Sequence, residues 1–413
     1  MSDLENWIYH FVKDRPTVKN ALKFAYQRIF SLAGSRHAEE PEGIVYRTRA
    51  FFGFHEKSPW SSDGRWLLGH VHGGVGIEQP SARELDIVIY GGRAWTEPFT
   101  LTQTQAWNWQ MGSQLQWADK SSSQVVFNDF RDGMNLAVIH NIESGREHTL
   151  PYPIGAVSPT QDRYAGFCYQ TLGRCMPGYG YDFAGAKAES PLTSEQLVVF
   201  DSDGTIVSEV PAGSLPPVSE DGEAAGEQFV THTQFSPDGE RLAFLHRQHV
   251  AGRRLRSRLY CVDPTDPLGT LHAAPFHDMV SHFTWIDGNR ILAFANTESS
   301  DGFFLWAVGV GTPSALRPLH LGDRDGHPHG VGDGRHVVLD RYPDRRRIMP
   351  LNWLDCETGE ETQLGRFFLP MRFWEEKRVD LHPRVRADGA YVCIDVVHDG
   401  VRSMATIPLG QER

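Results

Sequence analysis

The stretch HTQFSPDGERLAFLHR, residues 232–247, decides the fold, because a polar turn stands in it between two apolar segments. Asp-Gly is the preferred centre of a tight hairpin, since its two central positions can require a positive φ. The same turn and apolar strand recur as WSSDGRWLLGHV from Trp60, WIDGNRILAFAN from Trp285, GVGDGRHVVLDRY from Gly330 and RADGAYVCIDVV from Arg386. Repeats of about 50 residues hold four short strands and their turns.

Two weaker copies complete the series, LQWADKSSSQVVFND from Leu115 and AVSPTQDRYAGFCYQ from Ala156. The seven copies together predict an all-β protein, a single seven-bladed β-propeller over residues 43–413. The segment 43–51 is expected to supply the strand that the last repeat lacks, so that the ring closes without open sheet edges. Two insertions rich in Gly, Pro, Ser and Glu, residues 172–191 and 212–228, are predicted to be surface loops.

Residues 1–42 are predicted to form an amphipathic helical extension. Its helix is expected over residues 4–32, with Pro16 interrupting it, and it mixes aromatic and aliphatic residues with Lys and Arg. Such a helix packs its apolar stripe on a neighbouring surface, and we expect it to lie on the flank of the propeller. Contact with a membrane surface or with a partner protein is the alternative.

Composition argues against several classes of protein. The net charge of −12 disfavours a nucleic-acid-binding protein, which carries a basic footprint. No apolar run reaches the ~20 residues of a membrane span, and the N-terminus lacks the features of a secretory signal. The five cysteines are scattered and never spaced as CxxC, which fits reduced thiols and predicts a cytoplasmic protein. No GxSxG motif precedes a helical pattern, which disfavours a serine hydrolase.

Polar residues are expected to gather at one mouth of the central channel. There the inner strand of each blade begins, and the loop between its second and third strands returns. Five of the seven strand starts offer histidine. Residues of this kind also tie propeller blades together by hydrogen bonds, so a structural role is the alternative for each of them. The candidates for substrate binding are His55, Trp109, Gln110, Asn128, Arg131, His382 and Arg384.

Converging histidines without cysteines favour a divalent transition metal, with manganese first and zinc or iron as alternatives. The predicted ligands are His282, His327 and His329. The i, i+2 spacing of His327 and His329 places both side chains on one face of a strand. Pro328 between them could instead bend the strand and separate the two rings.

The segments HTQFSPDGERLAFLHR and SHFTWIDGNRILAF resemble the Tol-type propeller repeat, and more particularly the cytoplasmic oligogalacturonate lyases. The resemblance covers chiefly residues 230–340. It implies that histidines at the inner-strand starts hold a manganese-type ion, to which a His-Pro-His stretch contributes. His232, His282, His327 and His329 stand in comparable contexts. The sequence departs from the resemblance at Arg324, where those lyases offer a glutamine ligand.

The resemblance also implies a reaction, β-elimination on a short uronate-containing oligosaccharide, which is an anionic substrate. A metal or an arginine would neutralise the C6 carboxylate and so acidify the C5 proton. His232 or Arg247 would take that proton, and Tyr342 would protonate the departing O4.

Two other functions stay open at this point. A glycoside hydrolase on the same scaffold would use two carboxylates from the set Glu56, Asp129 and Asp340. A non-catalytic propeller would bind a saccharide or a protein partner, because the fold by itself does not settle function.

Overall fold

The computed structural model describes residues 27–28, 30–31, 34–73, 84–181, 191–193, 196–211, 213–218, 226–250, 254–310, 316–319 and 324–410. The helix expected over residues 4–32 lies almost entirely outside these ranges, so the N-terminal extension stays a prediction. Ahead of the first strand the structure shows a 3₁₀ turn, Gly34–His37.

The described chain forms seven four-stranded antiparallel sheets, each of which is one blade. The prediction of an all-β, seven-bladed propeller is therefore confirmed. Blade 1 consists of β2 (Ala50–Phe51), β3 (Leu67–Val71), β4 (Leu85–Gly91) and β5 (Glu97–Thr104). Blade 2 consists of β6 (Gln116–Trp117), β7 (Gln124–Arg131), β8 (Met134–Asn141) and β9 (Glu147–Leu150). Blade 3 consists of β10 (Ala156–Val157), β11 (Tyr164–Phe167), β12 (Leu197–Phe200) and β13 (Ile206–Val210).

Blades 4 to 7 follow in chain order, and the last of them takes its outer strand from the N-terminal end. Blade 4 consists of β14 (Gln228–Phe235), β15 (Leu242–Val250), β16 (Arg254–Val262) and β17 (His272–Ala273), and blade 5 consists of β18 (Val280–Trp285), β19 (Arg290–Asn296), β20 (Asp301–Ala307) and β21 (Leu316–Leu319). Blade 6 consists of β22 (Pro328–Gly330), β23 (His336–Asp340), β24 (Ile348–Asp355) and β25 (Glu361–Phe368). Blade 7 consists of β26 (Arg384–Val385), β27 (Tyr391–His398), β28 (Val401–Pro408) and β1 (Val45–Thr48). The helical elements outside the blades are α1 (Tyr169–Cys175) and the 3₁₀ turns Arg93–Trp95 and Glu375–Lys377.

The segment 43–51 contributes strands to two blades. β1 pairs with β28 at the outer edge of blade 7. After Arg49, whose positive φ of 61° turns the chain, β2 becomes the inner strand of blade 1. Blades 7 and 1 are thereby joined through a continuous piece of chain, which gives blade 7 its fourth strand and closes the ring.

A buried ion pair strengthens the same junction. The carboxylate of Asp395 accepts the backbone N–H groups of Phe52 and Gly53, each at 3.0 Å. The guanidinium of Arg384 donates to Asp395 at 2.9 Å and to the carbonyl oxygen of Gly53 at 2.7 Å. Both side chains are almost wholly buried, so the pair belongs to the core and ties blade 7 to blade 1.

The Asp-Gly turns adopt the backbone that the repeat predicts. Their glycines have φ angles between 68° and 76° at Gly64, Gly239, Gly334 and Gly389, a region that glycine populates readily. Gly288 in blade 5 lies outside this region. Its turn is one residue shorter, because Trp285 pairs with Ile291 whereas the equivalent Phe235 pairs with Leu242.

The hydrophobic core lies between neighbouring blades. Between blades 6 and 7, for example, Val338 and Leu351 pack in one cluster with Ile394 and Ala405. Burial of this apolar surface stabilises the ring of sheets. The inner strands then surround a central channel, into which polar side chains project.

Candidate functional site

Strand register places seven side chains at one level of the channel. Each inner strand ends on a residue that pairs with the second strand of the same blade. In blades 1 to 7 these residues are Trp60, Trp117, Val157, Phe235, Trp285, Gly330 and Val385. The residues three positions earlier in each blade are therefore equivalent, and we call them the channel ring: Lys57, Gln114, Ile154, His232, His282, His327 and His382. Blades 4 to 7 each contribute a histidine to this ring.

The backbone of the channel ring departs from regular strand geometry. Gln114, His232 and His382 have positive φ angles of 58°, 56° and 43°. In blades 4 and 5 the pairing with the second strand shifts register at the same point. Left-handed backbone at a residue other than glycine costs roughly 1–3 kcal/mol and is concentrated at functional sites.

The register of blades 1 and 2 differs from the sequence-based alignment, which put His55 and Trp109–Gln110 at the ring level. The inner strand of blade 1 is interrupted between β2 and the isolated bridge at Trp60, and register gives Lys57 that place. In blade 2 the same reasoning selects Gln114. His55 nevertheless lies inside the channel, because the interrupted strand turns it inward.

Five histidines pack together inside the channel. The ring centroids of His282 and His327 lie 4.2 Å apart, and those of His327 and His382 lie 4.3 Å apart. His55 is 5.4 Å from His327, and His232 is 6.4 Å from His282. None of these five side chains is more than 4% exposed. We call them the histidine cluster.

Hydrogen bonds orient three rings of the cluster. Nδ1 of His327 lies 2.9 Å from the carboxylate of Asp340, and Nδ1 of His282 lies 3.1 Å from that of Asp325. Nδ1 of His55 donates to a backbone carbonyl oxygen of blade 6 at 2.7 Å. An imidazole that donates Nδ1–H in this way presents the lone pair of Nε2, as metal-binding histidines do.

The atoms left over form a set of metal donors. Nε2 of His55, His327 and His382 and Oδ1 of Asp380 are buried and have no hydrogen-bond partner among the described residues. Ligand atoms of His327, Asp380 and His382 lie within 4.8 Å of one another. Imidazole nitrogens with a carboxylate oxygen suit manganese, zinc or iron. Because unpaired buried polar atoms are costly, a cation held here would satisfy them, and the residues fit such an ion.

Burial controls the protonation of the cluster. It lowers the pKa values of His55, His232 and His382 well below that of an ordinary histidine, so these rings are neutral at pH 7. Burial lowers the pKa of His327, but the charge and hydrogen bond of Asp340, together with the charges of Asp380 and Asp325, outweigh burial and raise that pKa. The cluster therefore contains neutral imidazoles suited to binding a metal and to accepting a proton.

One mouth of the channel is covered by side chains from segments that connect the strands. The ring of Tyr342 lies 5.2 Å from that of His327, and the ring of Tyr179 lies 6.4 Å from that of His232. The guanidinium of Arg378 stacks 5.4 Å from the Tyr342 ring and donates to the Tyr179 hydroxyl at 2.8 Å. We call this end of the channel the covered mouth.

Charged groups adjoin the cluster on another side. Burial lowers the pKa of Arg247 to about 10, which still leaves it protonated at neutral pH. Its guanidinium donates to the carbonyl oxygen of Ser281 at 3.0 Å, while its Nε has no partner in the described part of the chain. Lys57 and Glu56 form a buried ion pair, and burial raises the pKa of the Glu56 carboxyl.

Of the residues predicted to bind substrate, Asn128 and Arg131 have structural partners in the described chain. The Asn128 amide donates to the carbonyl of Ile154 at 2.9 Å and accepts its N–H at 2.7 Å, which ties blade 2 to blade 3. Arg131 donates to Asp129 at 2.9 Å and to Glu147 at 2.7 Å within blade 2. Neither side chain contacts the histidine cluster through these bonds.

Trp109, Gln110 and Arg384 also take part in packing. Trp109 stacks against the guanidinium of Arg402 at 4.6 Å. The Gln110 amide donates to the carbonyl oxygen of Arg378 at 3.0 Å, so it supports the segment that covers the channel. Arg384 is held in the closing ion pair described above. Of the seven predicted substrate-binding residues, His55 and His382 are the two that belong to the histidine cluster.

The predicted metal ligands divide in the same way. His282 and His327 lie in the cluster, whereas His329 lies two residues further along the strand. Its Nδ1 donates to the carbonyl oxygen of His55 at 2.7 Å. Among the residues that the structure describes, His327, His382 and Asp380 form the group that could hold a metal ion. The predicted catalytic residues His232, Arg247 and Tyr342 all adjoin the cluster.

Sequence reasoning missed several residues of the site. Asp325 stands two residues before His327, and Asp380 stands two residues before His382. This Asp-x-His spacing, repeated in blades 6 and 7, was a usable signal. Tyr179 gave no such signal, because it lies in a loop that the repeat does not predict.

Comparisons with known proteins agree with the fold. No protein-family model matches the sequence, and no curated protein matches it. An oligogalacturonate lyase from Vibrio parahaemolyticus matches in structure with a TM-score of 0.57 and 10% identity, over 91% of this chain and 97% of that one. The chain shares its propeller fold with that lyase.

Two further solved structures extend the comparison. An oligogalacturonate lyase in complex with manganese matches over 91% of this chain and 96% of that one, with a TM-score of 0.42 and 10% identity. A prolyl endopeptidase matches over 97% of this chain and 53% of that one, with a TM-score of 0.50 and 10% identity. At 10% identity, the likeness to the Vibrio lyase concerns the fold alone. No helix in the described ranges is long and apolar enough to cross a membrane.

Proposed function

We propose that the protein is a metal-dependent lyase that performs β-elimination on a short, anionic, uronate-containing oligosaccharide. The observation that carries the proposal is the set of buried, unpartnered donor atoms on His55, His327, His382 and Asp380. Most buried polar atoms have a hydrogen-bond partner, so the convergence of several donors without one favours a bound ion. The five free cysteines fit the reducing cytoplasm that we propose as its location.

The metal would be held by His55, His327, His382 and Asp380. A divalent transition ion, manganese first, supplies when bound the positive charge that neutralises the uronate carboxylate and acidifies the C5 proton. Asp340 orients His327 by its hydrogen bond to Nδ1. Arg247, protonated and with an unpartnered Nε, would bind the substrate carboxylate from the side of blade 4.

The proton transfers fall to His232 and Tyr342. His232 is neutral because burial lowers its pKa, so it can take the C5 proton. The electron pair left at C5 forms the C4–C5 double bond as the C4–O4 bond breaks, and that bond's electron pair leaves on O4. Burial raises the pKa of Tyr342 well above its ordinary value, so its hydroxyl keeps a proton to give to the departing O4. Arg247 stays protonated and is therefore the less suitable base of the two predicted.

Two of the three carboxylates considered for a hydrolase, Asp340 and Asp129, are engaged elsewhere. Asp340 binds His327 and accepts the backbone N–H of His382 at 3.0 Å. Asp129 is paired with Arg131 in blade 2. A glycosidase needs one carboxyl group to donate a proton and another to attack or to activate water. This arrangement favours a lyase over a hydrolase.

The test is turnover of oligogalacturonates by metal-depleted protein and by protein reloaded with manganese, followed by the ultraviolet absorbance of the unsaturated product. We expect the absorbance to rise with reloaded protein and to stay flat with depleted protein. Sugar release without an absorbing product would show a hydrolase. Absence of both, with saccharide binding intact, would show a binding protein.

A further inference from the structure

The channel end on the side of the Asp-Gly turns is open, in contrast to the covered mouth. We call this end the turn-side mouth. A cavity of about 680 Å³ occupies it, a size typical of small-molecule sites. The residue two positions after the channel ring lines this cavity in five blades, as Gln116, Ala156, Gln234, Thr284 and His329. The cavity therefore lies one layer of inner-strand side chains from the histidine cluster.

Unpartnered oxygen atoms stand around the inner end of this cavity. Among its lining residues, Oε1 of Glu56, Oγ1 of Thr233 and Oε1 of Gln234 are buried and have no hydrogen-bond partner in the described chain. Glu56 is 7% exposed and Thr233 is fully buried. Carboxylate and amide oxygens accept hydrogen bonds. A ligand that satisfies them must donate, as the hydroxyl groups of a sugar do.

His329 adds an acceptor to the same wall. Its Nδ1 donates to the carbonyl oxygen of His55 at 2.7 Å, and in the tautomer that this bond requires Nε2 carries a lone pair that can accept a hydrogen bond. The indole of Trp117 lines the cavity as well, and its N–H is already donated to a backbone carbonyl oxygen at 3.1 Å. Its remaining surface is apolar, as a sugar-stacking platform requires.

We propose that the saccharide enters through the turn-side mouth and is bound there by Glu56, Gln234 and His329. This inference rests on the proposed function and specifies where its substrate binds. Tyr179, Tyr342 and Arg378 close the covered mouth, so the open cavity offers the direct approach to the histidine cluster.

A bulky label at each end of the molecule tests the inference, with trigalacturonate as the probe. Cys175 is first replaced, as C175S, because it is the partly exposed cysteine of the described chain. Lys120→Cys then places a thiol on an exposed residue of the turn-side cavity. Ser299→Cys places the matched thiol on an exposed turn at the opposite face. Both are labelled with the same bulky maleimide.

We expect the label at position 120 to weaken trigalacturonate binding, measured by calorimetry, at least about tenfold, and the label at position 299 to leave it unchanged. Gln234→Leu should weaken binding without a label. Unchanged binding with the label at position 120, or no binding to unlabelled protein, would overturn the inference. Binding that is blocked at position 120 in a protein without lyase turnover would overturn the proposed reaction and leave this site standing.

Discussion

Blades 4 to 7 and blades 1 to 3 face the same channel with different chemistry. At equivalent register the first group presents four histidines, whereas the second presents Lys57, Gln114 and Ile154. The Asp-x-His carboxylates also belong to blades 6 and 7. Blade 3 instead supplies the loop with α1 and Tyr179 that covers one mouth. Blades 6 and 7 supply three of the four proposed ligands and blade 1 supplies His55, while blades 1 to 3 also supply Lys57 and part of the cover.

This difference shows how a repeated scaffold becomes specialised. The blades keep one backbone plan, so a change of side chain at a single register position decides whether a blade contributes to the site. The two halves can therefore be tested against each other with matched substitutions.

The largest effect is expected at His232. Replacing it with alanine should lower turnover on the order of 10²- to 10⁴-fold, because the general base is lost. Metal content should stay at the wild-type value, since His232 is outside the proposed ligand set. Steady-state rates and elemental mass spectrometry check the two parts. Gln114→Ala, at the same register in blade 2, should keep its turnover, and equal losses in both variants would remove the distinction between the halves.

The junction between the halves should matter for stability rather than for chemistry. Asp395→Asn breaks the buried pair with Arg384 and should lower the free energy of unfolding by about 3–5 kcal/mol. Denaturant titration measures this loss. Asp355→Asn removes a carboxylate from a more exposed pair with Arg335 and should change little. Equal losses of unfolding free energy in the two variants would show that the junction pair contributes no more to stability than the more exposed pair does.

Metal affinity should depend on His327 and on the carboxylate that orients it. Asp340→Asn should weaken metal binding roughly 10- to 100-fold, because the carboxylate that orients His327 is lost. Competition with a chelator measures the affinity. Asp129→Asn in blade 2 is the matched control and should leave it unchanged. A loss in the control would mean that the effect reflects general loosening of the fold.

A further effect concerns acid stability and a histidine outside the cluster. Burial lowers the pKa of His70 in blade 1 to about 3, while the unfolded chain keeps an ordinary value near 6.5. The unfolded state therefore binds the extra proton first. Stability should fall as the pH drops from about 6.5 towards 3, by about 1.4 kcal/mol per unit from this group. His70→Asn should flatten the pH dependence, and the exposed control His272→Asn should not.

The fold was readable from the sequence because its signal is local and repeated. Asp-Gly turns and the apolar strands after them mark five blades directly, and spacing supplies the rest. The cluster was partly readable, since His232, His282, His327 and His382 stand at one position of that repeat. The strand register in blades 1 and 2 could not be predicted from the sequence. In blade 1 the interrupted inner strand moves His55 away from the level that its spacing suggests.

The hydrogen-bond partners of the predicted binding residues could not be predicted from the sequence. Asn128, Arg131 and Arg384 have the residue types of a binding site, yet each is held by a neighbour distant in sequence or by its own blade. Packing within and between blades brings those neighbours together, and the repeat pattern does not reveal it. The loop that carries Tyr179 likewise follows no repeat, so the cover over one mouth had no sequence signal.

The most direct test of the account is the metal content of the purified protein, measured by elemental mass spectrometry in wild type, H327A, H382A and Q114A. The account predicts near-stoichiometric manganese, zinc or iron in wild type and in Q114A, and its loss from both histidine variants. Wild-type protein that holds no such metal, even after metal is added back, would contradict it.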